Sequence, residues 1–130
     1  MNQALANVAH RPTVLVAEDN NLIGEFIRQI LVDLGCTVLG PFEDLDGVMD
    51  AIRVGPFDGA LLDLELDGAS ILPAATELAE HGIPFIVATG QRSSAGLPAL
   101  LAQAPFLSKP FDVPEFERLV LSTFPRRQAH

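Results

Sequence analysis

The sequence predicts an α/β domain built on an open, five-stranded parallel sheet. Two observations carry this. The run Thr13–Ala17, TVLVA, is apolar and β-branched without interruption, as in a strand buried on both faces. Further short apolar runs alternate along the chain with segments whose apolar residues recur at helical spacing, which is the pattern of βαβ units.

Taken in order, the first strand, Thr13–Ala17, leads into a helix marked by Leu22, Ile23, Phe26, Ile27, Ile30, Leu31 and Leu34. Asn20 or Asn21 can cap its start and Gly35 can close it. Thr37–Leu39 is a second strand, stopped by Gly40-Pro41. Leu45–Val54 is a helix with Val48, Ala51 and Ile52 inward, ended by Gly55-Pro56. Gly59–Leu62 is the third strand and terminates at Asp63. Asp67-Gly68 marks a turn. Pro73 suits the first turn of a helix running to His81, with Gly82 after it. Phe85–Ala88 is the fourth strand and Gly90–Gly96, GQRSSAG, a loop. Pro98 can start only a short fourth helix, through about Ala102. Phe106–Ser108 is the fifth strand, and Pro114 opens a last helix with Phe116, Leu119, Val120 and Phe124 on one face. The expected domain covers 12–124, with tails at 1–11 and 125–130.

Bulk properties narrow the function. The 130 residues fit one domain, and 48% hydrophobic residues suffice for a core. No segment approaches the roughly 20 apolar residues of a membrane span. The N-terminus lacks the charged flank and apolar heart of a signal peptide. The single cysteine, Cys36, is expected to be packed and inert and rules out an internal disulfide. Together these point to the cytoplasm. A net charge of -9 argues against nucleic acid as a direct partner, because phosphate backbones need basic surface. Arg126 and Arg127 are read as a soluble end. His10, His81 and His130 lie in tails or near a helix end, too scattered for a zinc site or a phosphoacceptor.

The chemistry sits at the strand ends. In VLVAEDN, residues 14–20, a buried strand runs straight into two carboxylates, Glu18 and Asp19. Two such charges about 4 Å apart repel by about 4 kcal/mol at an effective dielectric near 20, so something must offset them. Ligands of open parallel sheets bind outside the carboxyl ends of the strands. Those ends deliver Glu18 and Asp19 from the first strand, Asp63 from the third, Thr89 from the fourth and Lys109 from the fifth. Each alone has a plainer use, as helix N-terminal charge or a turn residue. Their joint order on successive strand ends is what points to function. Three hard-oxygen carboxylates suit Mg²⁺, and a lysine adds a second cation. Asp63 is then a nucleophile toward phosphorus, with Lys109 and Thr89 stabilising the transferring phosphoryl group.

At VLVAEDN, ALLDLEL, FIVATGQ and LSKPF the chain resembles the receiver domain of two-component response regulators, from Thr13 to about Phe124. The resemblance implies a doubly wound five-stranded parallel sheet of order 2-1-3-4-5, flavodoxin/CheY-like. It makes Asp63 the phosphoacceptor and Glu18 with Asp19 the Mg²⁺ pair. The backbone carbonyl of Glu65 becomes a third metal ligand. Thr89 and Lys109 become the residues that contact the phosphoryl group, and Phe106 stands where receivers carry a switching aromatic. It also implies a cis Lys109-Pro110 bond, which proline makes cheap at about 0.5–1 kcal/mol. Glu65 and Gln91 stand where receivers tune the lifetime of the acyl phosphate. A narrower likeness, IPFIVATGQ, is similar to the signature of the FAT GUY subgroup, stand-alone receivers of Alphaproteobacteria. Pro84, Phe85, Ala88, Thr89 and Gly90 match it, while Val87 and Gln91 depart from it. The short fourth helix and the short run LELDGASILP suit the same subgroup.

The implied function is a single-domain response regulator in a phosphorelay, possessing no output domain and no turnover activity beyond its own phosphorylation and dephosphorylation. It takes its phosphoryl group from a histidine kinase or a histidine phosphotransfer protein and either acts on a downstream protein partner or hands the phosphoryl group onward, in a stress response. Two rivals stand against this. One is a pseudo-receiver that binds partners without using Asp63. The other is a haloacid-dehalogenase-like phosphatase, loosely mimicked by DLELD. That family's nucleophile follows the first core strand, whereas Asp63 follows the third.

Overall fold

The computed structural model describes residues 11–90 and 96–124. Gln91, most of the Gly90–Gly96 loop, and the tails with His10, Arg126, Arg127 and His130 lie outside the described residues. The elements run β1 (Thr13–Ala17), α1 (Asn21–Asp33), β2 (Thr37–Phe42), α2 (Leu45–Val54), β3 (Gly59–Asp63), β4 (Glu65–Leu66), β5 (Ala69–Ser70), α3 (Leu72–Glu80), β6 (Phe85–Thr89), α4 (Ala99–Ala102), β7 (Phe106–Ser108) and α5 (Val113–Thr123). Five strands form one parallel sheet of order β2-β1-β3-β6-β7, a CheY-like doubly wound arrangement. The fourth helix is a single turn.

Because side chains alternate across a strand, each central strand feeds two cores. Leu15, Ala17, Ala60, Leu62, Phe85 and Val87 meet Val48 of α2, Ala74, Ala75 and Leu78 of α3, and Leu101 of α4 on one face. Val14, Val16, Leu61, Ile86, Ala88 and Leu107 meet Ile27, Ile30 and Leu31 of α1 and Phe116, Val120 and Phe124 on the other. The continuous apolar strands are therefore the consequence of helices on both sides.

Three features differ from the sequence reading. β2 does not stop at Gly40-Pro41 but runs on to Phe42, with a register shift between Leu15↔Leu39 and Ala17↔Phe42. As an edge strand it needs ladder bonds on one side only, so a proline there is tolerated at an irregularity. Glu65–Ser70 is a small antiparallel hairpin, β4–β5, around the Asp67-Gly68 turn. Leu22 and Phe26, placed by spacing on the apolar stripe of α1, are 84% and 43% exposed. Phe26 stacks parallel on Phe111, with centroids 6.1 Å apart, and Phe111 meets Phe116 edge-on at 5.3 Å. An aromatic chain thus joins α1, the loop after Lys109 and the core.

Gly59 illustrates how tightly α5 closes on the sheet. A Cβ built there would lie 2.3 Å from Phe124 Cδ1 and 2.5 Å from Cε1. The ring, only 3% exposed, would have to move. Gly59→Ala is expected to cost about 1–3 kcal/mol by overpacking. The readout is a lower denaturant midpoint at unchanged m-value. The double variant Gly59→Ala/Phe124→Leu should regain part of the loss; no recovery would mean that the ring is not the obstacle.

Candidate functional site

The sheet register assembles the site. Ala17 pairs with Leu62, Asp63 with Ala88, and Thr89 with Ser108. The next residues along β1, β6 and β7, or the last residues of the strands themselves, therefore emerge at one edge. Glu18 continues the ladder, its N–H donating to Phe42 O at 3.0 Å, and Lys109 N–H donates to Thr89 O at 2.9 Å. Asn20, not Asn21, caps α1, its Oδ1 accepting from Ile23 N–H at 3.0 Å. That cap fixes the short turn on which Glu18 and Asp19 are presented.

At this edge Glu18, Asp19 and Asp63 each offer a carboxylate oxygen, all within 4.8 Å of one another. Lys109 Nζ donates to Glu18 Oε1 at 2.7 Å and to Asp63 Oδ2 at 3.0 Å. Glu18 is 1% exposed and also accepts from Asn20 N–H at 3.1 Å. Burial pushes the Glu18 carboxyl above its usual range, the hydrogen bonds from Lys109 and Asn20 oppose this, and the nearby Asp63 charge adds to it. Burial would lower Lys109, but its bonds to Glu18 and Asp63 outweigh that and hold the ammonium above its ordinary value. The repulsion between the adjacent carboxylates is thus offset in part by Lys109. Among the described residues, one ammonium against three carboxylates leaves a net negative site. Its donors are all hard oxygens, which is the donor chemistry of Mg²⁺.

Asp19, Asp63, Leu64, Glu65, Gly68, Thr89 and Gly90 line one open cleft. Thr89 is 5% exposed at its wall. In the hairpin, Ile71 N–H donates to Leu64 O at 2.9 Å. By the alternation of antiparallel ladders, the Glu65↔Ser70 pair is then non-hydrogen-bonded, and the Glu65 main-chain groups turn away from β5. The Lys109-Pro110 bond is cis, as are Gly40-Pro41 and Gly55-Pro56. Phe106 is half-buried and packs with the core on the α2, α3 and α4 side. The sequence reading missed one contact at the site: Asp67 N–H donates to Asp19 Oδ2 at 2.7 Å. A main-chain donor carries no signature of its own; the Asp-Gly turn was the sole hint.

The fold and this edge define a strand-end acidic site in a doubly wound α/β domain. The family model "response regulator receiver domain" matches residues 14–121. The chain therefore belongs to the response regulator receiver domain family. Among solved structures, it is similar to the response regulator PhyR from Brucella abortus, at 24% identity and TM-score 0.76 over 94% of this chain. That match covers 51% of PhyR, so the chain spans about half the length of that protein. It is similar at 22% identity and TM-score 0.75 to the receiver domain of sensor histidine kinase PA1611 from Pseudomonas aeruginosa, which holds a magnesium ion in its active-site cleft. That match covers 88% of this chain and 98% of the other. Both likenesses speak to the fold. SdrG from Sphingomonas melonis is 29% identical, with TM-score 0.76, over 88% of this chain and 97% of SdrG. Comparison with curated protein sequences gives no match. Receiver domains are in general signalling modules rather than turnover enzymes. No helix among the described residues is long and apolar enough to cross a membrane.

Proposed function

We propose that this chain is a phosphoacceptor receiver, its unit spanning 12–124, that accepts a phosphoryl group on Asp63. The observation behind this is Asp63 at the tip of the central strand β3, 3.0 Å from Lys109 Nζ and clustered with Glu18 and Asp19. An Asp63 carboxylate oxygen attacks phosphorus and forms an acyl phosphate. The phosphorus–nitrogen bond of a phosphohistidine donor breaks, and the imidazole leaves with the electron pair. Lys109 offers an ammonium to the transferring oxygens, and Thr89 a hydroxyl at the cleft wall. Glu18, Asp19, Asp63 and the Glu65 carbonyl would hold Mg²⁺, which supplies neutralising charge for the phosphoryl oxygens.

The donor in this reading is a histidine kinase or histidine phosphotransfer protein, and the readout is a protein partner in the cytoplasm. The IPFIVATGQ segment supports a place in the FAT GUY subgroup and hence in a stress phosphorelay. Phe106, half-buried two positions before Ser108, which pairs with Thr89, is the aromatic that would follow Thr89 when it engages the phosphoryl group. Moving such a switch from 1:99 to 99:1 needs about 5.5 kcal/mol of preference for one state. Bonds from Thr89 and Lys109 made only in that state would contribute much of it. Glu65, exposed at the cleft, and Gln91 would set how readily water reaches the acyl phosphate.

The test is incubation with Mg²⁺ and a small phosphodonor, followed by intact mass and by chemical trapping of the acyl phosphate. A gain of one phosphoryl group, mapped to Asp63, is expected. No gain from either a small donor or a phosphohistidine protein would favour a phosphorylation-independent binding module instead.

A further inference from the structure

Glu18 and Asp63 share Lys109, whereas Asp19 is held by a different group, the Asp67 main-chain N–H. Asp67 and Gly68 sit at φ +51° and +84°, the left-handed pair of a type I′ hairpin turn, which Asp-Gly accommodates. The hairpin is rooted in the core: Leu66 is 1% exposed, Ile71 is fully buried, and Ile71 is bonded to Leu64 just beyond β3. From that root the tip reaches the end of β1, 48 positions earlier in the sequence, where the Asp67 main-chain N–H meets Asp19 Oδ2 at 2.7 Å. This is the short distance of a charge-assisted bond. Asp19 itself is exposed, and an exposed aspartate without such a donor samples several rotamers.

We infer that the β4–β5 hairpin tip is a positioning element for the cation site. The Asp67 N–H fixes the Asp19 carboxylate through Oδ2 and leaves its other oxygen for the cation. The inference rests on reading Glu18, Asp19 and Asp63 as that site. The residue at 67 then acts through its backbone conformation. Its own carboxylate is dispensable, and what the position requires is a residue at ease with positive φ.

The separating experiment measures Mn²⁺ binding to the full chain by electron paramagnetic resonance. The chains compared are wild type, Asp67→Asn, Asp67→Gly and Asp67→Val. Asn and Gly adopt the left-handed region readily, so both should bind within about twofold of wild type. Valine is a genuine outlier at positive φ. Asp67→Val should bind about tenfold or more weaker, the usual loss when a ligand's outer partner is removed. Gly68→Val disturbs the same turn from its other residue, where a Cβ would meet nothing within 4 Å, and should weaken binding in the same direction. Metal-free thermal melts show that each variant is folded. Asp67→Val binding as wild type does would overturn the inference. So would an Asp67→Asn loss as large as that of Asp67→Val, because charge rather than the turn would then govern. Failure of wild type itself to bind Mn²⁺ would overturn the inference together with the cation-site reading, and so is distinguishable from failure of the hairpin alone.

Discussion

Asp63→Asn is expected to take up no phosphoryl group from any donor while keeping the fold. The side chains are isosteric, but a neutral amide is not a nucleophile toward phosphorus at neutral pH. The surroundings should hold. Lys109 keeps its 2.7 Å bond to Glu18, and the amide oxygen can still accept the second one. Electrostatics points the same way. Asp63 is one of the influences that raise the Glu18 carboxyl, so its removal relieves a like-charge neighbour of a group that is 1% exposed. Melting at neutral pH should therefore be unchanged or higher. Intact mass after incubation with Mg²⁺ and phosphodonor, beside a thermal melt, checks both halves. Persistent labelling would move the acceptor elsewhere, and Asp19, exposed in the same cleft, would be examined first.

The parts of this protein that were legible in its sequence are those with long or doubly buried signals. β1, β3 and β6 are central strands, and burial on both faces makes them short continuous apolar runs, which their length and flanking residues mark as strands. The strand-end residues followed, because a parallel sheet delivers the residue after each strand to the same edge. What stayed hidden depends on neighbours. The extension of β2 through Gly40-Pro41 relies on its place at the sheet edge, which its own residues do not declare. The hairpin strands are two residues each, too short for any period to register. Leu22 and Phe26 share the apolar spacing of Ile23 and Ile27, and only the packed tertiary structure reveals which of them face solvent. The stacking of Phe26 on Phe111 joins residues 85 positions apart and has no local trace. The Asp67 to Asp19 bond was beyond reach for a different reason: its donor is a peptide group that every non-proline residue possesses.

Lys109→Met is expected to fail in two measurable ways. The first is chemical. Methionine keeps the length of the stem but places no charge beside the transferring oxygens. Loss of one aimed stabilising group of this kind typically costs about 10²–10³ in rate. Single-turnover phosphorylation of Asp63 should slow by that order, and an unchanged rate would remove Lys109 from the proposed chemistry. The second is thermodynamic. Without the ammonium, Glu18 faces Asp63 with no other cation paired to it among the described residues, and breaking a buried pair from one side costs about 3–5 kcal/mol. Asp63 and Lys109 keep 15% and 17% side-chain exposure, so the lower end of that range is expected. The deficit should depend on pH with a definite sign. The folded Glu18 carboxyl already lies above its ordinary value of 4.5, chiefly through burial, and loss of the opposing Lys109 bond raises it further. A carboxyl raised in the folded state releases its proton first in the unfolded chain. Its unfavourable contribution is therefore absent below the unfolded value and grows as pH climbs through the folded one. Denaturant midpoints of wild type and variant should converge on acidification and separate toward neutral pH. Saturating Mg²⁺ should narrow the neutral-pH gap, because the variant's site has one positive charge fewer and binds the cation more tightly, and a ligand of the folded state stabilises more the tighter it binds. A gap that is constant with pH would mean that Lys109 stabilises by packing its stem rather than by pairing with Glu18.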